Sequence, residues 1–184
     1  MFLERRTEVI LGDYAYPIKN DFRLYLAVNK ILKSDEIMEE DKVATICDLV
    51  FVDKIEPSMM LKAIEGYLKL FVSGKGNGKP VFDLEQDKEL IYSAFLQVYG
   101  IDLDTAEMSV EKFLALLQSI PECTKFAEVI KIRTMPIPKP TKYNAEERSA
   151  IIRAKASVAL KGTDNLGAGM KNLAELMRVW SNGR

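Results

Sequence analysis

Histidine is absent from all 184 residues of this chain. Its absence removes the imidazole general base, the histidine-dependent nucleophile arrangements and the commonest nitrogen ligand for transition metals. Cysteine is scarce. Cys47 and Cys123 stand alone with no CxxC spacing, so neither a zinc site of the usual kind nor a disulfide framework is expected. Both lie in apolar helical surroundings and are expected to be buried, reduced thiols. Long hydrophobic runs are missing as well. The longest, around 46–52, is broken by Asp48 and falls far short of the roughly 20 residues that cross a bilayer. The first residues, MFLERRTEVIL, place charges inside any would-be signal core, so export is not expected.

What remains is enough to fold. With 48% hydrophobic and 29% charged residues, the chain can bury a core and has the size of one domain, or of one domain with an appendage. The net charge of -1 conceals an asymmetry. Residues 1–130 carry 15 Lys and Arg against 23 Asp and Glu, whereas 131–184 carry 11 against 4. A basic tail on an acidic body suits docking within the chain, an acidic partner, or simply uneven solvation of helix faces.

Periodicity places the elements. Arg6–Leu11 and Tyr14–Ile18 alternate as two short strands around Gly12-Asp13, with Pro17 confining the second to an edge. From Asn20 the period becomes helical: Phe22, Leu24 or Tyr25, Val28 and Ile31/Leu32 in a first helix; Val43, Ile46, Cys47 and Val50 in a second over 39–52. Pro57 suits the first turn of a third, with Met60, Leu61, Ile64, Leu68 and Phe71 as its stripe. Asp83 and Gln86 form a capping box for a fourth helix carrying Leu90, Ile91, Ala94, Phe95 and Val98, closed by Gly100. Ser109 caps a fifth with Phe113, Leu116, Leu117 and Ile120, ended by Pro121. Phe126, Val129, Ile130 and Arg133 mark a sixth. Residues 136–140 form a proline-rich spacer that cannot be helical. Beyond it, Asn144 and Glu147 open an Ala-rich helix running to Lys161, and Met170, Leu173, Met177 and Trp180 form a narrow seam at steps of three and four.

The chemistry that can be tested fails. The glycine-rich loop Gly74–Lys79 lacks the spacing and the Ser/Thr of a phosphate-binding loop and follows a helix, so it reads as a linker. The carboxylates Glu39/Glu40/Asp41 and Asp83/Glu85/Asp87 have no calcium-loop spacing and instead suit helix starts. The basic residues Arg148, Arg153, Lys155 and Lys161 could touch phosphates. They have no aromatic stacking platform beside them, so nucleic-acid binding is not expected. The Met170–Trp180 seam is either a core stripe or an adaptable partner-binding strip. No enzyme, metal or cofactor is expected.

Four stretches carry a resemblance: DFR at Asp21–Arg23, VFDLEQDKELIYSAFLQVYGIDL over 81–103, KFLALLQSIP over 112–121 and VIKIR over 129–133. Together they resemble the bacteriophage gene-product-fifteen family, small proteins of tailed phages and prophages of Gram-positive bacteria. Such proteins usually carry a His-Trp pair just before the Lys-x-Phe of the fifth helix, where this chain reads Ser109-Val110. The resemblance implies a gene between those for the tail tube and the tape measure. It implies a tail-assembly chaperone that coats the tape-measure protein in the host cytoplasm and leaves before the particle is finished. The alternative is a head-to-tail adaptor or tail-completion protein retained in the virion.

The expected molecule is therefore mainly α. A compact domain of about six helices with a small N-terminal hairpin spans 1–135, the spacer 136–140, and a basic helical arm 141–184. Partner binding is expected on the arm, through Arg148, Arg153 and Lys155 and the strip Met170, Leu173, Met177 and Trp180. The partner would be the tape-measure protein or another tail protein, with a second copy of the chain as a further candidate and no membrane.

Overall fold

A computed structural model describes residues 5–71 and 81–161. In those residues it has two strands and seven helices: β1 (Glu8–Leu11), β2 (Tyr14–Pro17), α1 (Phe22–Lys33), α2 (Glu39–Val50), α3 (Met60–Phe71), α4 (Lys88–Tyr99), α5 (Val110–Gln118), α6 (Lys125–Thr134) and α7 (Ala145–Ser157). The mainly helical class with an N-terminal hairpin is as the sequence indicates. By contact, the described residues form two compact units, 5–71 with 107–115, and 81–106 with 116–161.

In the first unit the hairpin is antiparallel, with Val9 opposite Tyr16 and Leu11 opposite Tyr14. It survives as a two-stranded sheet because it packs on a helix, as so short a sheet must. Val9, 2% exposed, lies over Gly66 of α3; a Cβ at Gly66 would come within 2.5 Å of the Val9 Cγ1. Glycine is therefore required there by close approach. Val28, Leu32, Val43, Ile46, Val50, Ile64, Tyr67 and Phe71 fill the core beneath, each such side chain contributing about 1.5–3 kcal/mol by burial. Asp21 caps α1, its carboxylate accepting from the Arg23 N–H at 2.8 Å.

The start of α5 is fastened to this unit around the Asn20 amide, with the Arg6 N–H donating to the Glu111 carboxylate at 2.9 Å beside it. Asn20, 4% exposed, accepts the Val110 N–H at 2.9 Å and donates to the Arg6 carbonyl at 2.7 Å and to the Glu111 carboxylate at 3.0 Å. Phe22 and Phe113 stack at 5.0 Å beside it. Val110 is fully buried, and the Ser109 hydroxyl accepts the Lys112 N–H. Val110 and Ser109 thus serve packing and capping respectively. The Tyr67 hydroxyl is buried with no hydrogen-bond partner among the described residues, and burial first of all pushes its ionisation well above the ordinary tyrosine range.

The second unit is organised by an ion pair. Asp87 is 3% exposed and receives the Arg133 guanidinium in two bonds, Nη1–Oδ2 2.6 Å and Nη2–Oδ1 2.8 Å. This fork ties the start of α4 to α6. It also corrects one expectation: α4 begins at Lys88, not at a box opened by Asp83. The Asp83 carboxylate caps the preceding turn, accepting the N–H groups of Glu85 and Gln86, while its own N–H donates to Asp87 at 2.9 Å. The Gln86 side chain goes elsewhere, exchanging two 2.8 Å bonds with the Lys161 backbone. Gly100 ends α4 at φ 64°, the left-handed residue that a helix C-terminus favours.

Two further expectations are corrected. Asn144 makes no capping bond to α7; its amide holds the spacer, accepting from the Thr141 N–H and donating to the Lys139 carbonyl. Cys123 is exposed, because it lies in the turn before α6 and not on a buried face. Cys47 is buried, and burial, with Asp48 nearby, pushes its thiol up to about 12.

Candidate partner-binding groove

Two of the three basic residues singled out on α7 are engaged within the chain. Arg148 donates to the Pro138 carbonyl. Lys155 caps the end of α6, its ammonium donating to the carbonyls of Arg133 and Met135, the latter at 2.8 Å. That is the favoured place for a cation on a helix dipole. Arg133 completes the attachment by donating its Nε to the Val158 carbonyl at 2.6 Å. No residue of α7 is buried, so polar contacts hold it against α6. Of the three basic residues, Arg153 is exposed and makes no hydrogen bond or ion pair among the described residues. Met170, Leu173, Met177 and Trp180 lie outside the described residues, as does the Gly74–Lys79 loop.

On the second unit α6 leaves a groove of about 470 Å³. Its walls are Val81 and Phe82 before α4, Leu117 and Ile120 at the end of α5, and Phe126, Ala127 and Ile130 on α6. Phe82 and Phe126 meet edge-to-face at 5.8 Å, a geometry worth about 0.5–1.5 kcal/mol beyond area alone. Phe126 and Leu117 are buried, while Val81, Phe82, Ile120, Ala127 and Ile130 are half-buried. Polar side chains occur only at the mouth, where Gln118, Glu122, Lys131 and Thr134 are exposed.

Sequence reasoning missed this surface, assigning Phe126, Ile130 and Ile120 to the core stripe of their helices. A signal was present in α6. Phe126, Val129 and Arg133 form one face and Ala127, Ile130 and Thr134 its neighbour, so the apolar arc is wider than one packing face needs. The groove is apolar within, and its charged side chains, Glu122 and Lys131, are exposed. Among the described residues, no cluster of three or more potential ligands for a metal ion exists, and no helix is long and apolar enough to cross a membrane.

A family model described as "Bacteriophage Gp15 protein" matches residues 7–160. The chain belongs to the bacteriophage Gp15 family. It is therefore a phage protein, and the Gp15 match spans both units, every groove residue and all of α7. The Met170–Trp180 strip lies beyond it. No curated protein and no solved structure matches the chain significantly.

Proposed function

We propose that this Gp15-family protein is a non-enzymatic tail-assembly chaperone that binds the tape-measure protein in the host cytoplasm. The observation that carries the reading is the groove along α6, apolar to its floor, with polar groups only at its mouth. Such a surface suits an apolar client strip held by burial and released when a better-packed neighbour arrives. Burying a few half-exposed aliphatic side chains contributes at most about 0.8 kcal/mol per methylene, which favours a displaceable complex. The client site is moved by this reading from the basic residues of α7 to the groove along α6, since Arg148 and Lys155 are occupied within the chain.

Co-expression tests it. The chain should keep the tape-measure protein soluble and co-purify with it, and should be missing from purified virions by mass spectrometry. A tape-measure protein equally insoluble with and without the chain would refute the proposal. One observation favours a second reading, a structural adaptor retained in the virion: the hairpin exposes Ile10 and Tyr14, 69% and 72% accessible, as a surface packed against a neighbouring copy would. A fixed small copy number in particles would decide for it.

A further inference from the structure

The groove restricts what can lie in it. Its walls are two helices and a short irregular segment, and no strand of the described sheet borders it. Helical wall backbone is already hydrogen-bonded along its own axis. An extended peptide laid there would leave its N–H and C=O groups against Phe82, Ile120 and Ile130, at a cost of roughly 1–3 kcal/mol for each unpaired group. A helix satisfies its own backbone and brings only side chains. A small polar ligand is disfavoured on other grounds, because specific small-molecule sites need polar groups converging inside, and here they stand only at the mouth. Along α6 the lining runs from Phe126 to Thr134, a rise of eight steps or about 12 Å at 1.5 Å each. That length accommodates anchors at i, i+3/i+4 and i+7.

The mouth is also polarised, with Glu122 ahead of α6 and Lys131 in its last turn. Resting on the chaperone reading, we propose that the groove seats one amphipathic helix of the tape-measure protein, two to three turns long. Its apolar face lies on Phe82, Ile120, Ala127 and Ile130, with a basic residue flanking it at Glu122 and an acidic one at Lys131. The polar faces of the client stay in water, so each chain covers one short segment.

Cys123 supplies a native handle. It is exposed and adjoins Glu122, whereas Cys47 is buried, so a thiol-directed photo-crosslinker can be placed at the groove mouth of the otherwise unaltered full-length chain. Irradiation after co-incubation with the tape-measure protein of the same phage should yield crosslinks to amphipathic helical segments. Ile130→Asp should weaken co-purification at least tenfold with the helical circular-dichroism signal retained. The exposed reversals Glu122→Lys and Lys131→Glu should each weaken it by up to about fivefold, the range of a surface ion pair, without touching the core. Should the complex form normally with Ile130→Asp and with both reversals, the groove assignment is overturned while the chaperone reading stands. Crosslinks joining only two copies of the chain would overturn it in favour of a self-interface. Failure of any complex to form, with unaltered protein, overturns both.

Discussion

Replacing Arg133 by Met should be the most damaging single change in the second unit. The guanidinium delivers two bonds to Asp87, one to the Val158 carbonyl and a longer one to the Val81 carbonyl at 3.2 Å. Removing it leaves an Asp87 carboxylate, 3% exposed, with the Asp83 N–H as its remaining short donor. Breaking a buried pair from one side typically costs about 3–5 kcal/mol, because the surviving charge is stranded. Set against the roughly 5–15 kcal/mol of a whole domain, that leaves the unit near its unfolding threshold. Arg133→Lys keeps the charge but not the fork, and should cost less, about 1–3 kcal/mol. The decisive comparison is the double variant Asp87→Leu/Arg133→Met. With no stranded charge it should be more stable than Arg133→Met alone, and the two single costs should exceed the double by at least about 1 kcal/mol. Urea denaturation followed at the helical circular-dichroism band gives the magnitudes. Peptide-resolved hydrogen exchange should locate the loss in α4, α6 and α7 and leave α1–α3 unchanged. A cost below 1 kcal/mol for Arg133→Met, or simple additivity in the double, would refute the claim that this pair holds the second unit together.

Tyr67→Phe should stabilise the first unit by about 1 kcal/mol, since it removes a buried hydroxyl that has no partner among the described residues; a loss of stability in the same denaturation assay would show that the hydroxyl is satisfied. Gly66→Ala should destabilise by about 1–3 kcal/mol even though alanine is the better helix former by about 1 kcal/mol, because the new methyl meets the Val9 side chain at 2.5 Å. Thermal melts of Gly66→Ala with and without Val9→Ala check this, the second change relieving the first. Glu111 links stability to pH. Burial raises its carboxyl, but bonds from the Arg6 N–H and the Asn20 amide outweigh that and hold it below the ordinary carboxylate value of 4.5. Its contribution is therefore present above about pH 4.5 and fades as pH falls through and below that value. Glu111→Gln should flatten this part of the acid limb, and an unaltered slope would show that Glu111 is not its source.

Which elements could be read in advance follows from how they are stabilised. α2 and α3 bury the face their periodicity marks, with Val43, Ile46, Cys47 and Val50 on one and Ile64, Leu68 and Phe71 on the other, because burial was deciding both pattern and packing. The start of α4 was misplaced for a different reason. Asp83 caps only the turn before the helix, and the Asp87 carboxylate at the helix start makes no capping bond because it is taken by Arg133, a residue 46 positions away. Asn144 failed likewise, since the same amide that can cap α7 can also pin the spacer, and tertiary position selects the second. A cap is a local signal only when no distant donor competes for it.

The same reasoning explains why the groove escaped notice and the arm did not. A run of lysines and arginines after a proline-rich spacer looks accessible in sequence, yet a long cation is also the natural partner for the bare carbonyls at a helix end, and Lys155 takes that role on α6. Conversely, Val129 and Ile130 are neighbours of equal hydrophobicity, one 6% exposed and the other half-buried on the groove wall. Nothing in either residue says which faces the core; the packing of α4 and the end of α5 against α6 decides it. A charge pattern thus overstates accessibility and an apolar pattern understates it. In a protein whose proposed work is to hold another chain's apolar face, the binding surface is then drawn from residues that sequence assigns to the core.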